Sequence, residues 1–374
     1  MRLLITSVPG LGHLHPVLPL ALAAAAAGHD VRVATGADRT DWVSRCGAVA
    51  VPAGLSHDAL VQEASLQGLT GPERPRRMFT TIAVPPMTTD LLEMARGWRP
   101  DLVVHEEGEY AAPLVAALLG VSCVTHSWPS PARQEAGRAL LDEPLADIWR
   151  RFGAEGPVRQ TGDLYLDACP PLLQHPDALA SFPKVVAVHP SGFDGPAQTV
   201  PAWLEALPRP AVYVTLGTEP AFSKPELLQR LVDGASAVAA GLVVSTGPHP
   251  PDVIQRPHDG VHAVQYLPQS LVLPRVDAVV GHGGAGTTVG ALLHGLPVLV
   301  LPGLAPSQRA SAERVAASGV GLHLDWQQAT PDRLQGAVDG LLTDWHLAET
   351  ARAARAQIDL LPTPAEVVRL LADG

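Results

Sequence analysis

The sequence predicts an α/β protein of two doubly wound, Rossmann-like domains that face each other across a cleft. Three observations lead to this prediction. The chain has 374 residues, enough for two or three domains. Segments typical of buried strands and of helices alternate along both halves. A stretch rich in Pro, Gly, Ser and Asp, from about His189 to Pro210, lies between the two series and is typical of a linker.

The first series opens with a βαβ unit, whose crossover we expect to be right-handed. A strand at Arg2–Val8 precedes the loop PGLGHLHP, and an Ala/Leu-rich helix at Val17–Ala27 ends before Gly28. The later elements have weaker patterns, and they are the strand Val31–Thr35, the strand Leu102–His105, the helix Tyr110–Leu119 and the strand Val121–Thr125.

The second series repeats the alternation after the linker. Its predicted strands are Ala211–Leu216, Leu242–Ser245, Val276–Val280 and Val298–Leu301, and its predicted helices are Pro225–Ala239, Thr287–His294 and Gln308–Ala317. A last helical pattern covers Pro364–Ala372. We therefore expect domains at residues 1–195 and 196–360, and a helix within 361–374 that could cross back to the first domain.

The segment Leu55–Thr81 has no clear periodicity and contains Gly, Pro and three arginines. A long loop in a compact domain is usually either functional or disordered. Two interpretations stay open here, a flap over a binding site and a disordered excursion.

The composition excludes several classes of protein. Hydrophobic residues make up 47% and charged residues 17%, so the chain can form sizeable cores. A net charge of −11 lacks the basic footprint of a nucleic-acid-binding protein. The three cysteines lie far apart, which fits a reducing compartment. Pro and Gly interrupt the signal-like N-terminus, and no apolar run reaches the roughly 20 residues of a membrane span, so we expect a cytoplasmic protein without a membrane span.

The strongest chemical signal is GHGGAGTT, Gly281–Thr288, which follows a strand and opens a helix. Glycines let the backbone approach a ligand, and a helix N-terminus offers unpaired N–H groups to an anion. His282 and Thr287 could donate to phosphate oxygens. The segment therefore predicts a diphosphate site, and the alternative is a tight turn with Thr as the helix N-cap.

Weaker signals lie at the carboxyl ends of the first strand in each series, where doubly wound sheets bind ligands. Thr218, in VTLGT, could reach the same diphosphate. In GHLHP, His13 is suited to general-base catalysis, whereas a helix cap or a zinc site with His15 are the alternatives. Such a base needs an acidic partner, and Glu106 and Glu107 after a neighbouring strand are the candidates.

Taken together, these motifs resemble the antibiotic-type bacterial glycosyltransferases of family one, macrolide and polyketide glycosyltransferases with the GT-B fold. The resemblance rests on GHLHPVLPLALAAAAAGHDV, RPDLVVHE, CPP, VYVTLGT, YLPQ, GHGGAGTT, HGLPVLVLP and AERV, which occur in the family's order along nearly the whole chain.

The resemblance implies a role for each matching residue. His13 matches the catalytic base, and Glu106 stands where the family has an orienting Asp. The segment that cups the nucleobase corresponds to Tyr266, Leu267, Pro268 and Gln269. The diphosphate site corresponds to His282, Gly284, Ala285, Gly286 and Thr287, with Thr218 as its lid.

The resemblance also implies a substrate for each domain. The second domain would bind a nucleoside-diphosphate sugar, and the first would bind a hydrophobic aglycone such as a polyketide under Leu55–Thr81 and Met78–Met94. The chain contains no Asp-x-Asp motif, so we expect no metal and no cofactor. A homodimer is left open.

One departure concerns the sugar. Where the family often has Asp-Gln and then Asn, this chain has Ser307, Gln308 and Ser311. The loss of two strong hydrogen-bonding groups predicts a deoxysugar donor on thymidine diphosphate, because a site built for hydroxyls rejects sugars that lack them. An ordinary hexose bound through water is the alternative.

Three other functions remain open. They are a nucleotide-sugar epimerase, a cell-wall precursor glycosyltransferase, and a non-catalytic activator of another enzyme. The absence of GxGxxG after the first strand disfavours a dehydrogenase.

Overall fold

The computed structural model describes residues 1–131, 135–175, 177–218, 223–256, 258–303 and 305–373. Seven strands form the first sheet, at β1 Arg2–Thr6, β2 Asp30–Thr35, β3 Ala50–Pro52, β4 Leu102–Glu106, β5 Ser122–His126, β6 Leu164–Asp167 and β7 Val185–Ala187. All their pairings are parallel, and the spatial order is β3-β2-β1-β4-β5-β6-β7. The order reverses next to β1, so the carboxyl ends of β1 and β4 flank a switch point, where α/β sheets bind ligands.

Helices cover both faces of this sheet. They are α1 Leu11–Ala26, α2 Ala37–Arg45, α3 His57–Leu66, α4 Glu73–Arg77, α5 Val84–Gly97, α6 Ala111–Leu119, α7 Glu135–Ala139 and α8 Asp142–Arg151, with a π-helical turn at Met78–Ile82. The central strands are buried along nearly their whole length, as expected for parallel strands covered on both sides.

The second sheet has six parallel strands, at β8 Ala211–Thr215, β9 Gly241–Ser245, β10 Val261–Val264, β11 Ala278–Gly281, β12 Val298–Val300 and β13 Gly321–His323. Its order is β10-β9-β8-β11-β12-β13. The remaining helices are α9 Ala202–Glu205, α10 Pro225–Ser236, α11 Gln269–Val272, α12 Ala285–Leu293, α13 Pro306–Ser318, α14 Pro331–Thr343, α15 Trp345–Ile358 and α16 Pro364–Asp373. The prediction of two doubly wound α/β domains is confirmed.

The last helix, α16, joins the core of the first sheet. Val367 and Val368 are buried there with Leu14 and Val17 of α1. Each buried aliphatic side chain stabilises a fold by roughly 1.5–3 kcal/mol. The end of the chain therefore packs on the domain with which the chain begins.

Two further contacts connect the halves. Asp194 accepts hydrogen bonds from the backbone N–H of Ser270, at 2.7 Å, and from its hydroxyl, at 3.0 Å. Arg314 on α13 donates to the carbonyl oxygens of Leu172, at 2.9 Å, and Leu173, at 3.2 Å. The segment that follows β10 and the helix α13 are thus both tied to the chain before β8.

Two local predictions were wrong. The predicted loop PGLGHLHP is helical from Leu11, because Gly10 caps α1 and Pro16 leaves unpaired only the carbonyl of the exposed Gly12. The segment Leu55–Thr81 is mostly helical, and its first helix, α3, is capped by Ser56 Oγ, which accepts from the N–H of Ala59 at 3.2 Å. These helices are too short to show a period in the sequence.

Candidate active site

The first candidate residue, His13, lies in the opening turns of α1 and contacts Glu106 at the end of β4. His13 Nδ1 lies 2.9 Å from Glu106 Oε1. The His13 side chain is 21% exposed and the Glu106 side chain is 0% exposed. An ionised carboxylate can only accept, so Nδ1 carries the proton and Nε2 keeps a lone pair for a substrate hydroxyl. This arrangement is that of a general base with an orienting acid.

Glu106 stays ionised despite its burial. Burial alone would raise the pKa of Glu106, but the charge of His13 and its hydrogen bond hold the pKa below the usual value, together with donors from Gly108 and Trp128. Those donors are the backbone N–H of Gly108, at 2.6 Å, and Trp128 Nε1, at 2.8 Å, both to Oε2. A buried carboxylate needs such partners to remain charged.

Glu107 points elsewhere. Its backbone N–H donates to the carbonyl oxygen of His126 at 3.0 Å, and its carboxylate acts on the phenol of Tyr165. Burial and this carboxylate raise the pKa of Tyr165 well above its usual value. Of the two candidate acids, the structure therefore places Glu106 beside His13. His15, two residues along the helix, faces away and stacks on Trp42.

Two aromatic residues that the sequence analysis missed enclose the His13 ring. Phe79, in the π-helical turn, lies 5.4 Å from it between ring centroids, and Trp128 meets it edge-on at 4.9 Å. Trp128 follows β5 by two residues, so its position at a strand's carboxyl end was the available signal. No sequence signal pointed to Phe79, because it belongs to a segment without periodicity.

A mainly apolar cavity lies next to Phe79 and Val8, the neighbours of His13 and Glu106. Its apolar lining comes from the loop after β1 and from residues 53–110, and includes Val8, Leu55, Leu60, Phe79 and Met87. The carboxyl of Glu109 also lines it, and burial raises the pKa of Glu109 to about 7. The flap interpretation of Leu55–Thr81 fits this lining, whereas a disordered excursion does not.

The Gly-rich turn connects β11 to α12. The N-cap of α12 is Gly284, and among the described residues no side chain caps this helix. Thr287 is a helical residue and not the N-cap, so the predicted alternative of a Thr N-cap was wrong. Its hydroxyl accepts from Gln269 Nε2 at 2.9 Å and keeps its own proton for donation. Ala285 and Gly286 supply N–H groups of the first turn, which suit an anion.

His282 lies between two glycines of neighbouring loops. A Cβ on Gly217 would stand 2.7 Å from its Cε1, and a Cβ on Gly284 would stand 2.6 Å from its Nε2, so larger residues would displace the ring. Burial lowers the pKa of His282 to about 4. The imidazole is therefore neutral at pH 7 and would meet a phosphate as a hydrogen-bond donor. Thr218, exposed after Gly217, follows β8, the neighbour of β11.

The predicted nucleobase segment divides between surface and core. Tyr266 is 47% exposed, and its hydroxyl donates to the carbonyl oxygen of Asp194 at 3.2 Å. Leu267 is buried in the core of the second domain, and Pro268 precedes α11 as its N-cap. Gln269 reaches the Gly-rich turn through Thr287. The predicted nucleobase segment and the predicted diphosphate segment are thus adjacent.

The predicted sugar residues lie at the start of α13. Ser307 is exposed, whereas Ser311 is buried. Gln308 is also buried, and its Oε1 accepts from the backbone N–H of Gly303 at 2.9 Å. Of the two serines, Ser307 is therefore the one that reaches solvent.

The described residues hold neither a metal cluster nor a membrane-spanning helix. In the described ranges, no cluster of three or more His, Cys, Asp or Glu side chains could hold a metal ion. No helix of the described residues is long and apolar enough to span a bilayer.

This architecture and site define a glycosyltransferase with the GT-B fold. The glycosyltransferase VinC, solved in complex with DTDP, is similar over 100% of this chain and 99% of its own, with a TM-score of 0.83 and 28% identity. SnogD from Streptomyces nogalater is similar over 100% and 99%, with a TM-score of 0.82 and 29% identity.

Family comparison gives the narrower class. Residues 75–217 match the N-terminal domain, and residues 229–373 the C-terminal domain, of the model for proteins like erythromycin biosynthesis protein CIII. L-demethylnoviosyl transferase of Streptomyces niveus is 32% identical over 100% of this chain and 98% of its own. The desosaminyl transferase of Saccharopolyspora erythraea that acts on 3-alpha-mycarosylerythronolide B is 30% identical, over 98% and 97%. The chain belongs to this family of bacterial natural-product glycosyltransferases, which confirms the resemblance.

Proposed function

We propose that this enzyme transfers a deoxysugar from thymidine diphosphate to a hydroxyl of a hydrophobic aglycone, such as a polyketide, with inversion at the anomeric carbon. The observation that carries the proposal is the His13–Glu106 pair, 2.9 Å apart, whose neighbours Phe79 and Val8 line a mainly apolar cavity. The relatives named above, which transfer demethylnoviosyl and desosaminyl groups, support this substrate class.

The acceptor is activated by His13. Nε2 removes the proton of the acceptor hydroxyl, and Glu106 stabilises the imidazolium that forms. The acceptor oxygen attacks the anomeric carbon from the face opposite the diphosphate, and the bond from that carbon to the diphosphate oxygen breaks. One such displacement inverts the anomeric configuration.

The leaving diphosphate is held by the second domain. Its growing charge meets the N–H groups at the start of α12 and the neutral donors His282 and Thr287. These groups are fixed before the reaction, so they stabilise the charge without reorganising. We propose that they replace a divalent metal, and that the enzyme works without a cofactor.

The donor preference follows from α13. Ser307 offers one short hydroxyl at the surface, while Gln308 is already engaged by Gly303 and Ser311 is buried. Such a site has few polar groups that a deoxysugar would leave unpaired. VinC and SsfS6 of Streptomyces sp. SF2575, both 28% identical to this chain, have been solved with thymidine diphosphate.

A comparison of donors tests the proposal. On one accepted aglycone, initial rates with a thymidine-diphosphate deoxysugar should exceed those with uridine-diphosphate glucose. A Ser307→Asp variant should move the preference towards glucose, because a carboxylate can accept from sugar hydroxyls. A wild-type preference for the glucose donor would refute the deoxysugar assignment.

A further inference from the structure

Trp128 contacts both members of the catalytic pair through different parts of its indole. Nε1 donates to Glu106 Oε2 at 2.8 Å, and the ring meets the His13 imidazole edge-on with 4.9 Å between centroids. The indole therefore joins the two side chains directly.

The position of Trp128 is itself fixed. Its carbonyl oxygen accepts from the hydroxyl of Ser127 at 2.9 Å and from the backbone N–H of Ser130 at 2.8 Å. Gly108 leaves the space that the indole fills, since a Cβ there would stand 2.7 Å from Trp128 Cζ2 and 3.2 Å from His13 Cε1. The indole is therefore built into the site and is not a mobile surface ring.

The donors on Glu106 divide between its two oxygens. Oε1 faces His13 Nδ1, at 2.9 Å, and the backbone N–H of Val8, at 3.4 Å. Oε2 accepts from Gly108 and from Trp128. The indole N–H thus holds the carboxylate in the plane that aims Oε1 at His13, and it withdraws part of the negative charge that the imidazole would otherwise feel.

We infer that Trp128 is a positioning residue, which sets the orientation and the basicity of His13 through Glu106. The inference deepens the proposed function and rests on it. If the free energy of one hydrogen bond to a charged group is lost from the reactive arrangement, the rate falls roughly tenfold.

His105, His126 and Glu109 interact electrostatically with Glu106, and they bear on any pH measurement. Burial lowers the pKa of His105 and of His126 to about 4, so both are neutral above pH 5. Glu109 has a pKa raised by burial to about 7. Its titration is common to the wild type and the variant, so the comparison between them isolates the indole.

The test is Trp128→Phe, which keeps an aromatic ring beside His13 and removes the N–H. We expect kcat to fall roughly tenfold, with the affinity for thymidine diphosphate unchanged. Because more of the Glu106 charge then acts on the imidazolium, the acid limb of kcat/KM should move to higher pH. A matched control is Trp98→Phe, since Trp98 Nε1 donates to Asp30 Oδ2 at 2.7 Å. Asp30 begins β2, so this contact lies at the amino end of the strands, away from the catalytic pair. That variant should keep the wild-type pH profile.

Two measurements separate a positioning role from a structural one. In a Glu106→Gln background, Trp128→Phe should change kcat by less than about twofold, because the residue acts through the carboxylate. The His13 imidazole, followed by NMR without substrates, should titrate at higher pH in Trp128→Phe than in the wild type. An unchanged His13 titration, or an equal loss of kcat in both backgrounds, would overturn the inference. The NMR result stands even if the proposed transfer reaction is not found.

Discussion

At the scale of single residues, the two domains supply opposite kinds of chemistry. The first domain offers a base held by a buried carboxylate, and this carboxylate stays charged because four donors converge on it. The second offers neutral donors, since burial keeps His282 uncharged at pH 7. The proposed mechanism thus assigns proton removal and charge stabilisation to different domains, and single substitutions can separate them.

His13→Ala should lower kcat by roughly 10²–10⁴-fold, because it removes the general base. The affinity for thymidine diphosphate should not change, since the donor site belongs to the other domain. Steady-state kinetics and calorimetry measure the two effects. His15→Ala, on the opposite side of the same helix, is the control and should leave kcat within about twofold of the wild type. Near-normal turnover in His13→Ala would remove His13 from the mechanism.

His282→Ala should weaken the binding of free thymidine diphosphate roughly tenfold, because a donor to a charged group is lost. Calorimetry measures the dissociation constant. His294→Ala is the matched control, since His294 follows the far end of α12. Equal affinities in the wild type and in His282→Ala would mean that the imidazole does not contact the diphosphate.

Glu109 predicts a pH dependence of stability. Burial raises its pKa from 4.5 to about 7, so the folded state holds a proton that the unfolded state releases above pH 4.5. Stability therefore falls as the pH rises from about 4.5 to 7, by up to ~3 kcal/mol. The melting temperature of Glu109→Gln, relative to the wild type, should rise between pH 5.5 and 8. A constant difference would show that Glu109 does not change its protonation in this range.

At the scale of elements, the sequence predicted the strands and helices whose burial gives a regular pattern of apolar residues. The strands β1 and β8 and the Ala-rich body of α1 are continuous apolar runs, and such runs can be identified in the sequence. The edge strands β3 and β13 have three residues each, too few for a pattern. The beginning of α1 was missed because Pro16 and Gly12 suggest a loop, while a cap at Gly10 and packing of Leu14 favour a helix.

The residues of the candidate site were likewise predicted only in part. His13, Glu106 and the Gly-rich turn lie at or after the carboxyl ends of central strands, where doubly wound sheets place their ligand sites. Trp128 also follows a strand, β5, but its contact with His13, like that of Phe79, depends on packing between distant parts of the chain. That packing has no signature in local sequence.

The contribution of α16 can be tested by truncating one side chain. Val367→Ala should destabilise the first domain by roughly 1–3 kcal/mol, because a buried side chain in its core is shortened. Leu370→Ala on the same helix, where Leu370 is 55% exposed, should change stability by less than about 0.5 kcal/mol. Urea unfolding measures both. A similar effect of the two substitutions would show that the helix does not pack as described.

At the scale of the whole molecule, the two halves are held together on the side of the donor site. Asp194 ties the linker to Ser270, beside the nucleobase segment, and Arg314 ties α13 to Leu172 and Leu173. The elements proposed to hold the nucleobase and the sugar are therefore tied to the chain that precedes β8. This placement would let a bound donor present its anomeric carbon to an acceptor beside His13.

The central claim is one direct displacement, promoted by His13 and by the start of α12, without a metal ion. NMR spectroscopy of the product tests it most directly, with the wild-type enzyme, excess EDTA, an accepted aglycone and a thymidine-diphosphate deoxysugar of known anomeric configuration. The account predicts that product forms and that its anomeric configuration is inverted relative to the donor. Retention of configuration, or no product until Mg²⁺ is restored, would contradict it.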